Sequence, residues 1–364
     1  MKLLLLGAAN SIHLQRWANA LAKVGLEVHV VSQHPPLAAG WHTAVNQHAL
    51  PVSGGQGYVA NVRALRRLML ILHIDLLHAH YASGYGLLAT LAGCRPRLVS
   101  AWGSDVFEFP DRSPLHRALL CQVLRRADAL ACTSQALHQR IQTLLGAAPR
   151  NVALTPFGVD VDLADLAPTP AQVRDGLCVG TVKGLAPAYG VDLLIRAFAR
   201  VQQAREPAPA ASGVRLRLVG DGPQRFELQA LATELGVAAH VDFVGAVPHA
   251  QVQAELRQLD VFVAASRQES FGVAVLEASA AGVPVVVTRV GGLPEVVEAG
   301  VTGLVVEPEN VPALAQAITQ LLDDATLRQR MGCAGRDWVA AHYAWDDSVR
   351  TMLALYRRLL PGRS

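Results

Sequence analysis

Two carboxylates, Glu269 and Glu277, stand with seven residues between them in Glu269-Ser-Phe-Gly-Val-Ala-Val-Leu-Glu277. Ser270 is a favoured N-cap type, and the apolar run behind it stops at Gly282 and Pro284. That spacing predicts a short helix over 271–281. The first turn of a helix presents unused N–H groups and the positive end of its dipole, which together bind anions. Gly272 would let an anion come close to the backbone. A phosphate on those amides, with a carboxylate to either side, suits a nucleoside diphosphate joined to a sugar. The plain alternative is two solvated glutamates on a surface helix.

Further candidates follow the ends of apolar runs. Gly180-Thr-Val-Lys183-Gly184 sets a cation in a Gly-rich turn, and Lys2, Lys23 and Lys183 are the only lysines in the chain. Lys183 reads as a phosphate contact, or else as a solvated lysine. Val219-Gly-Asp-Gly-Pro223 gives Gly-x-Gly-x-x-Arg, but Arg225 stands where a dinucleotide fingerprint needs a small residue. In Trp102-Gly-Ser-Asp105, Asp105 reads as an acceptor for a substrate hydroxyl or as a helix N-cap. His13 follows the Gly7-Ala-Ala-Asn10 turn. His78 and His80 alternate on one apolar run, and they read as pointing to opposite faces, with only His80 reaching a ligand. No His, Cys, Asp or Glu cluster has metal-ligand spacing, and Gly-x-Ser-x-Gly and Walker A motifs are absent.

These residues need elements to position them. The 364 residues suffice for two cores, and 51% hydrophobic against 17% charged residues suits buried parallel sheets. Apolar runs are expected as strands at 2–6, 28–32, 76–80, 97–101, 129–133 and 152–156. A second series falls at 177–182, 214–219, 241–244, 261–264, 283–287 and 303–306. Helical patterns lie between them, such as Leu14, Trp17, Ala18, Leu21 and Ala22, closed by Gly25. Such alternation argues for doubly wound parallel sheets. Ala- and Pro-containing 164–172 reads as the interdomain linker and 206–213 as a surface loop. The expected domains are 1–165 and 166–344, with a helix over 345–364 packing back on the first. A net charge of +3 does not imply nucleic acid as partner. Five scattered cysteines without a Cys-x-x-Cys pair suit a reducing cytosol. The apolar start faintly resembles a signal peptide but reads as a first buried strand, and no apolar stretch is long enough to span a bilayer. Segment 61–74 interleaves Arg63, Arg66 and Arg67 with leucines. It reads as a solvated helix face or as a peripheral contact with an anionic membrane.

Taken together, the chain resembles the retaining glycosyltransferases of family 4. The most specific stretch is Ser266-Arg-Gln-Glu-Ser-Phe-Gly-Val-Ala-Val-Leu-Glu-Ala-Ser-Ala-Ala-Gly-Val-Pro-Val285, followed by Gly291-Gly-Leu-Pro-Glu295. Pro156-Phe-Gly-Val-Asp160, Val219-Gly-Asp-Gly-Pro223 and Gly190-Val-Asp-Leu-Leu-Ile-Arg-Ala-Phe198 add support. The resemblance implies a GT-B fold, α/β, with two Rossmann-like domains facing across a cleft. It implies an N-terminal acceptor domain and a C-terminal nucleotide-sugar domain. It also implies that Glu277 holds the donor ribose, that Glu269 faces the donor sugar, and that the Phe271–Val273 backbone (residues Phe271, Gly272 and Val273) meets the diphosphate.

Two departures stand out. Thr181 and Tyr189 occupy places where many members carry Arg and Lys, and Trp102 stands where many carry His. The reading is a metal-independent retaining glycosyltransferase without cofactor, taking a UDP- or GDP-sugar. Its acceptor would be a glycan, lipid-linked or small molecule, in cell-surface polysaccharide or glycoconjugate assembly. Its place would be the cytoplasm, or peripherally the inner face of the cell membrane. Glu269, Lys183 and Asp105 are the expected catalytic residues. Glu277, Ser270, Phe271, Gly272, Val273, Gly180, Gly220 and Arg267 are expected at the donor, and Asn10, His13, His80 and Trp102 on the acceptor side. Alternatives are a GT-B sugar-nucleotide epimerase and a non-catalytic nucleotide-sugar-binding protein.

Overall fold

The computed structural model describes residues 1–148, 151–159, 176–205 and 213–361. The expected linker at 164–172 lies outside the described residues, as do 206–212 of the expected surface loop. The chain divides into two compact units: Met1–Phe157 with the chain from Asp346 onward, and Gly158–Trp345. The divisions therefore fall at Phe157/Gly158 and Trp345/Asp346 rather than at 165/166 and 344/345.

The described residues of the first unit form one seven-stranded sheet. Its strands are β1 (Lys2–Leu6), β2 (Glu27–Ser32), β3 (Val45–Ala49), β4 (Leu76–His80), β5 (Arg97–Ala101), β6 (Ala129–Cys132) and β7 (Val152–Leu154). The order is β3-β2-β1-β4-β5-β6-β7 and every pairing is parallel. Strands buried on both faces read as continuous apolar runs, which is why Leu3, Leu4, Leu5 and Leu6 are all fully buried. The sequence pattern misses β3. Its residues Val-Asn-Gln-His-Ala sit at the sheet edge, and only Val45 is buried. An edge strand with one buried side chain carries no apolar period to detect.

The second unit repeats the plan with β8 (Leu177–Val182), β9 (Val214–Val219), β10 (Val241–Gly245), β11 (Val261–Ala264), β12 (Val285–Thr288) and β13 (Gly303–Val306). The described strands run β10-β9-β8-β11-β12-β13, again all parallel. The strand expected at 283–287 begins at Val285, because Pro284 has no N–H for the ladder. The Pro284 carbonyl still accepts from Phe262 N–H at 3.0 Å.

Both sheets reverse their winding next to their first strand, between β1 and β4 and between β8 and β11. At such a switch point the loops leaving the carboxyl ends diverge, and ligands bind in the space between them. Each unit therefore has one position where the topology favours a site.

The helix Trp345–Leu359 closes the first unit. Tyr356 on it is fully buried, and its hydroxyl lies 2.7 Å from Nδ1 of His78 on β4. Ser100 Oγ lies 2.7 Å from Nε2 of the same ring. A neutral imidazole offers one acceptor and one donor, and a hydroxyl stands at each. Burial pushes the Tyr356 hydroxyl well above its ordinary pKa, so it keeps its proton. Tyr356→Phe strands one nitrogen of a buried imidazole, which costs about 1–3 kcal/mol. Urea denaturation should show that loss, and an unchanged midpoint would mean that the helix is held by packing alone.

Candidate functional site

In the second unit, Lys183 directly follows β8, and Glu269 lies five residues beyond β11. These are the two strands that flank the switch point. Their side chains meet: the Lys183 ammonium is ion-paired to the Glu269 carboxylate across 86 positions of sequence. The side chains are only 8% and 13% exposed, so neither charge is left to water. The ammonium also sits 4.8 Å from the centre of the Tyr189 ring.

Backbone packing sets this geometry. Lys183 N–H donates to Val219 O at 2.9 Å, and Leu185 N–H to Asp221 O at 3.0 Å, so the loops after β8 and β9 lie against each other. Gly220 permits the approach: its φ is +139°, and a Cβ there would stand 1.9 Å from Lys183 O. Gly291 does the same for Glu269, at φ +48°, where a Cβ would stand 1.7 Å from Glu269 O. Gly292 N–H then donates to that carbonyl at 3.1 Å. This is the structural reason for the Gly291-Gly292 pair.

Behind Glu269 the helix Val273–Ala280 begins, with Gly272 as its N-cap at φ +113°. The expected start at Phe271 with Ser270 as cap is corrected. The left-handed Gly272 closes the turn, and Val275 and Leu276 N–H both bond to its carbonyl. Phe271 is 2% exposed, so only its backbone remains for a ligand. Val275, Leu276, Ala278, Ser279 and Ala280 are buried, whereas Val273, Ala274 and Glu277 keep partial exposure. Glu277 stands four residues after Val273, hence on the same helix face. The first-turn amides, Glu277 and the Lys183–Glu269 pair thus belong to one end of one sheet.

Three expected donor or catalytic residues have other places. Gly180 lies inside β8, where a Cβ would meet Arg217 O at 2.5 Å and Leu259 at 2.6 Å, so it serves strand packing. Arg267 is held by carboxylates: Asp192 bonds it at 2.6 and 2.8 Å, and Glu309 Oε1 lies 2.6 Å from its Nε. It also donates to Pro187 O at 3.1 Å, so it clasps a loop rather than standing ready for a phosphate. Those carboxylates raise its pKa further, and its guanidinium holds the Asp192 carboxyl below its usual range. Asp105 is fully buried in the first unit and accepts from Ala82 N–H at 2.6 Å, Gly103 N–H at 2.8 Å and Trp102 N–H at 3.1 Å. Burial raises its pKa against the pull of those bonds. It fixes the loop that carries Trp102; Gly103, not Asp105, is the cap of the short Ser104–Phe107 helix.

Around the first unit's switch point stand Asn10 and His13 after β1, His80 at the end of β4, Trp102 after β5 and Phe157 after β7. Asn10 is exposed. His13 stacks on Phe157 at 4.2 Å, and Trp102 lies 5.0 Å from His80, 5.4 Å from Phe157 and 5.9 Å from His13. His78 and His80 share a face, with ring centroids 3.9 Å apart, because residues two apart on a strand point the same way. The expectation of opposite faces was wrong. His80 is 1% exposed, and neither ring nitrogen has a hydrogen-bond partner among the described residues.

Sequence reasoning gave no site role to Asp192 or Glu309, and it marked Tyr189, Gly291 and Phe157 only as positions within family motifs. Their roles depend on partners distant in sequence. Among the described residues no group of three or more His, Cys, Asp or Glu is placed to hold a metal.

Residues 171–338 match the family described as glycosyl transferases group 1, and residues 2–134 match glycosyl transferase 4-like. A GDP-mannose-dependent alpha-(1-6)-phosphatidylinositol monomannoside mannosyltransferase of Mycolicibacterium smegmatis is 35% identical over 294 residues, covering 76% of this chain and 73% of that protein. The chain belongs to glycosyltransferase family 4. A D-inositol 3-phosphate glycosyltransferase of Kribbella flavida is 32% identical, with 97% of this transferase and 87% of that protein covered. For the fold, sucrose-phosphate synthase of Thermosynechococcus elongatus superposes with a TM-score of 0.86 at 22% identity, over all of both chains. Anabaena HepE, solved with UDP and glucose, gives 0.78 at 20% identity over 98% of this chain and all of that one. The transferase has the GT-B fold, and it is an enzyme that moves a sugar from a nucleotide-sugar donor.

Burial alone holds the His80 imidazole of the transferase down to a pKa of about 3, against an ordinary 6.5. Above pH 6.5 both folded and unfolded states are neutral there. Between pH 6.5 and 3 only the unfolded chain takes the proton, so stability falls as pH falls, by up to about 1.4 kcal/mol per pH unit. Urea titrations at pH 7 and pH 5 should show this loss, and His80→Leu should narrow it. An equal loss in both proteins would mean that His80 is not the group responsible.

Proposed function

We propose that this glycosyltransferase is retaining and metal-independent, and that it binds a UDP- or GDP-hexose at the β8/β11 switch point. The observation that carries this reading is the part-buried Lys183–Glu269 pair beside the N-terminus of the Val273–Ala280 helix. The difficult step is departure of the diphosphate from a sugar that gains oxocarbenium character. Negative charge grows on the leaving oxygens, and the helix amides with Lys183 would stabilise it there. Glu269 would then accept from a sugar hydroxyl, and Glu277 from the ribose. The acceptor attacks on the leaving-group face, and the departing phosphate helps take its proton, so no nucleophilic carboxylate is required.

The acceptor would be a polyhydroxyl group on a glycan, a lipid-linked carrier or a small molecule. His13 and Trp102 would offer ring faces to it and Asn10 an amide. Relatives named for phosphatidylinositol mannoside and inositol phosphate support such an acceptor, and the GDP-mannose in one name supports GDP as a candidate base. We place the enzyme in cell-surface polysaccharide or glycoconjugate assembly, at the cytoplasmic face of the membrane. Among the described residues no helix is long and apolar enough to cross one. Support for a peripheral contact comes from the Val62–Leu72 helix, where Arg63 and Arg67 are exposed beside Leu70 at 75% and Ile71 at 60%.

A thermal-shift screen with UDP-, GDP- and ADP-sugars tests the donor class, since a bound donor stabilises the fold by mass action. Glu277→Ala should weaken binding of the responding nucleotide by about 1.5–3 kcal/mol, the range for hydrogen bonds to a charged group. Calorimetry that finds unchanged affinity would remove Glu277 from the site. Lys183→Ala should cut kcat by about 10²–10³-fold, as for loss of one preorganised electrostatic donor. Wild-type turnover in Lys183→Ala would move the phosphate cation elsewhere.

A further inference from the structure

Lys183 is held by two unlike neighbours, a carboxylate and an aromatic ring. The carboxylate's negative charge offsets the ammonium's field as it holds it. The ring does not, because its face attracts a cation through the quadrupole and carries no net charge. When a sugar hydroxyl competes for Glu269, a neutral holder keeps the ammonium in place without offsetting its charge toward a diphosphate.

Tyr189 is built for that task. It ends the short turn Pro187–Tyr189, with its N–H on Ala186 O at 3.0 Å, and packs on the second unit's apolar core. Gly184 leaves the ring room against the β8 turn: a Cβ there would already touch Tyr189 Cε2 at 3.4 Å. The turn itself is clasped by the segment that leads to Glu269. Arg267 and Gln268 N–H donate to Ala188 O at 2.8 and 3.1 Å. The Arg267 guanidinium, fixed by Asp192 and Glu309, reaches Pro187 O. Gly190, at φ +59°, lets the chain pass so close to Ala265 O that a Cβ would stand 2.0 Å from it. One arginine therefore ties together the loops bearing both partners of Lys183.

We propose that Tyr189 is a positioning residue for Lys183, holding the ammonium by its ring face at the β8 turn while the Asp192–Arg267–Glu309 clasp holds the ring. The proposal rests on the reading of Lys183 as the diphosphate contact. Its ring acts through Lys183, so its loss should appear in turnover rather than in donor affinity.

The test follows release of nucleoside diphosphate from GDP-mannose and from UDP-glucose by the full chain, with water as acceptor. Tyr189→Leu should lower kcat roughly tenfold, the scale of one partly desolvated cation–π contact, with donor KM within about twofold. Tyr189→Phe keeps the ring face and should retain at least about half of the wild-type kcat. Tyr189→Leu should cost nothing further in the Lys183→Ala background, where there is no ammonium to hold. Tyr189→Met gives the same readout with a second apolar side chain should the leucine variant not fold. The proposal is overturned by wild-type turnover in Tyr189→Leu, by an equal loss in both backgrounds, or by a Tyr189→Phe as slow as Tyr189→Leu. If Lys183→Ala is slow and Tyr189→Leu is not, this proposal alone falls. If Lys183→Ala turns over normally, the donor-site reading falls with it.

Discussion

A charge largely withdrawn from water needs a partner of opposite sign, and Lys183 finds Glu269. That single requirement organises the second unit around its switch point. The pair exists only because β8 lies beside β11, a neighbourhood created by three crossovers and not by chain proximity. It also sets what the site can do. The pair sets a cation and a carboxylate side by side at the switch point.

Glycines make the pairing possible at the backbone level. At Gly220 and Gly291 the neighbouring chain comes within 2 Å of where a side chain would begin. Both also have positive φ, so an alanine at either would bring strain as well as a clash. Here glycine is required by loop-on-loop packing, and the ligand's access is a consequence of that packing. Arg267 extends the same logic to side chains, since its guanidinium is spent on Asp192, Glu309 and a carbonyl. A cation in a functional motif can thus be part of the scaffold.

The first unit solves a different problem with aromatic rings. His13, Trp102 and Phe157 gather at the carboxyl end of its sheet, and Asp105 holds the Trp102 loop by three backbone N–H groups. Next to Trp102, His80 lacks a hydrogen-bond partner at either nitrogen among the described residues, although its neighbour His78 is satisfied by Ser100 and Tyr356. Such an orphaned buried ring is rare, because each unmet polar group costs about 1–3 kcal/mol. The contrast shows how one strand face holds a satisfied and an unsatisfied histidine two residues apart.

By itself the sequence determined the architecture: alternating apolar runs and amphipathic helices demanded two parallel sheets, and the motif around Glu269 and Glu277 pointed to a nucleotide sugar. Burial periodicity is local, so it can be read from neighbours along the chain. Strand β3 escaped because an edge strand buries too little to have a period. Only the tertiary structure decided which distant groups meet. Lys183 with Glu269, Arg267 with Asp192 and His78 with Tyr356 are separated by 86, 75 and 278 positions. Their meeting depends on strand order and loop packing, which no period in the sequence encodes. The same limit explains why Arg267 and Asp105 looked like ligand contacts: residue type shows what a side chain can bind, and only its folded surroundings show that the protein has already bound it.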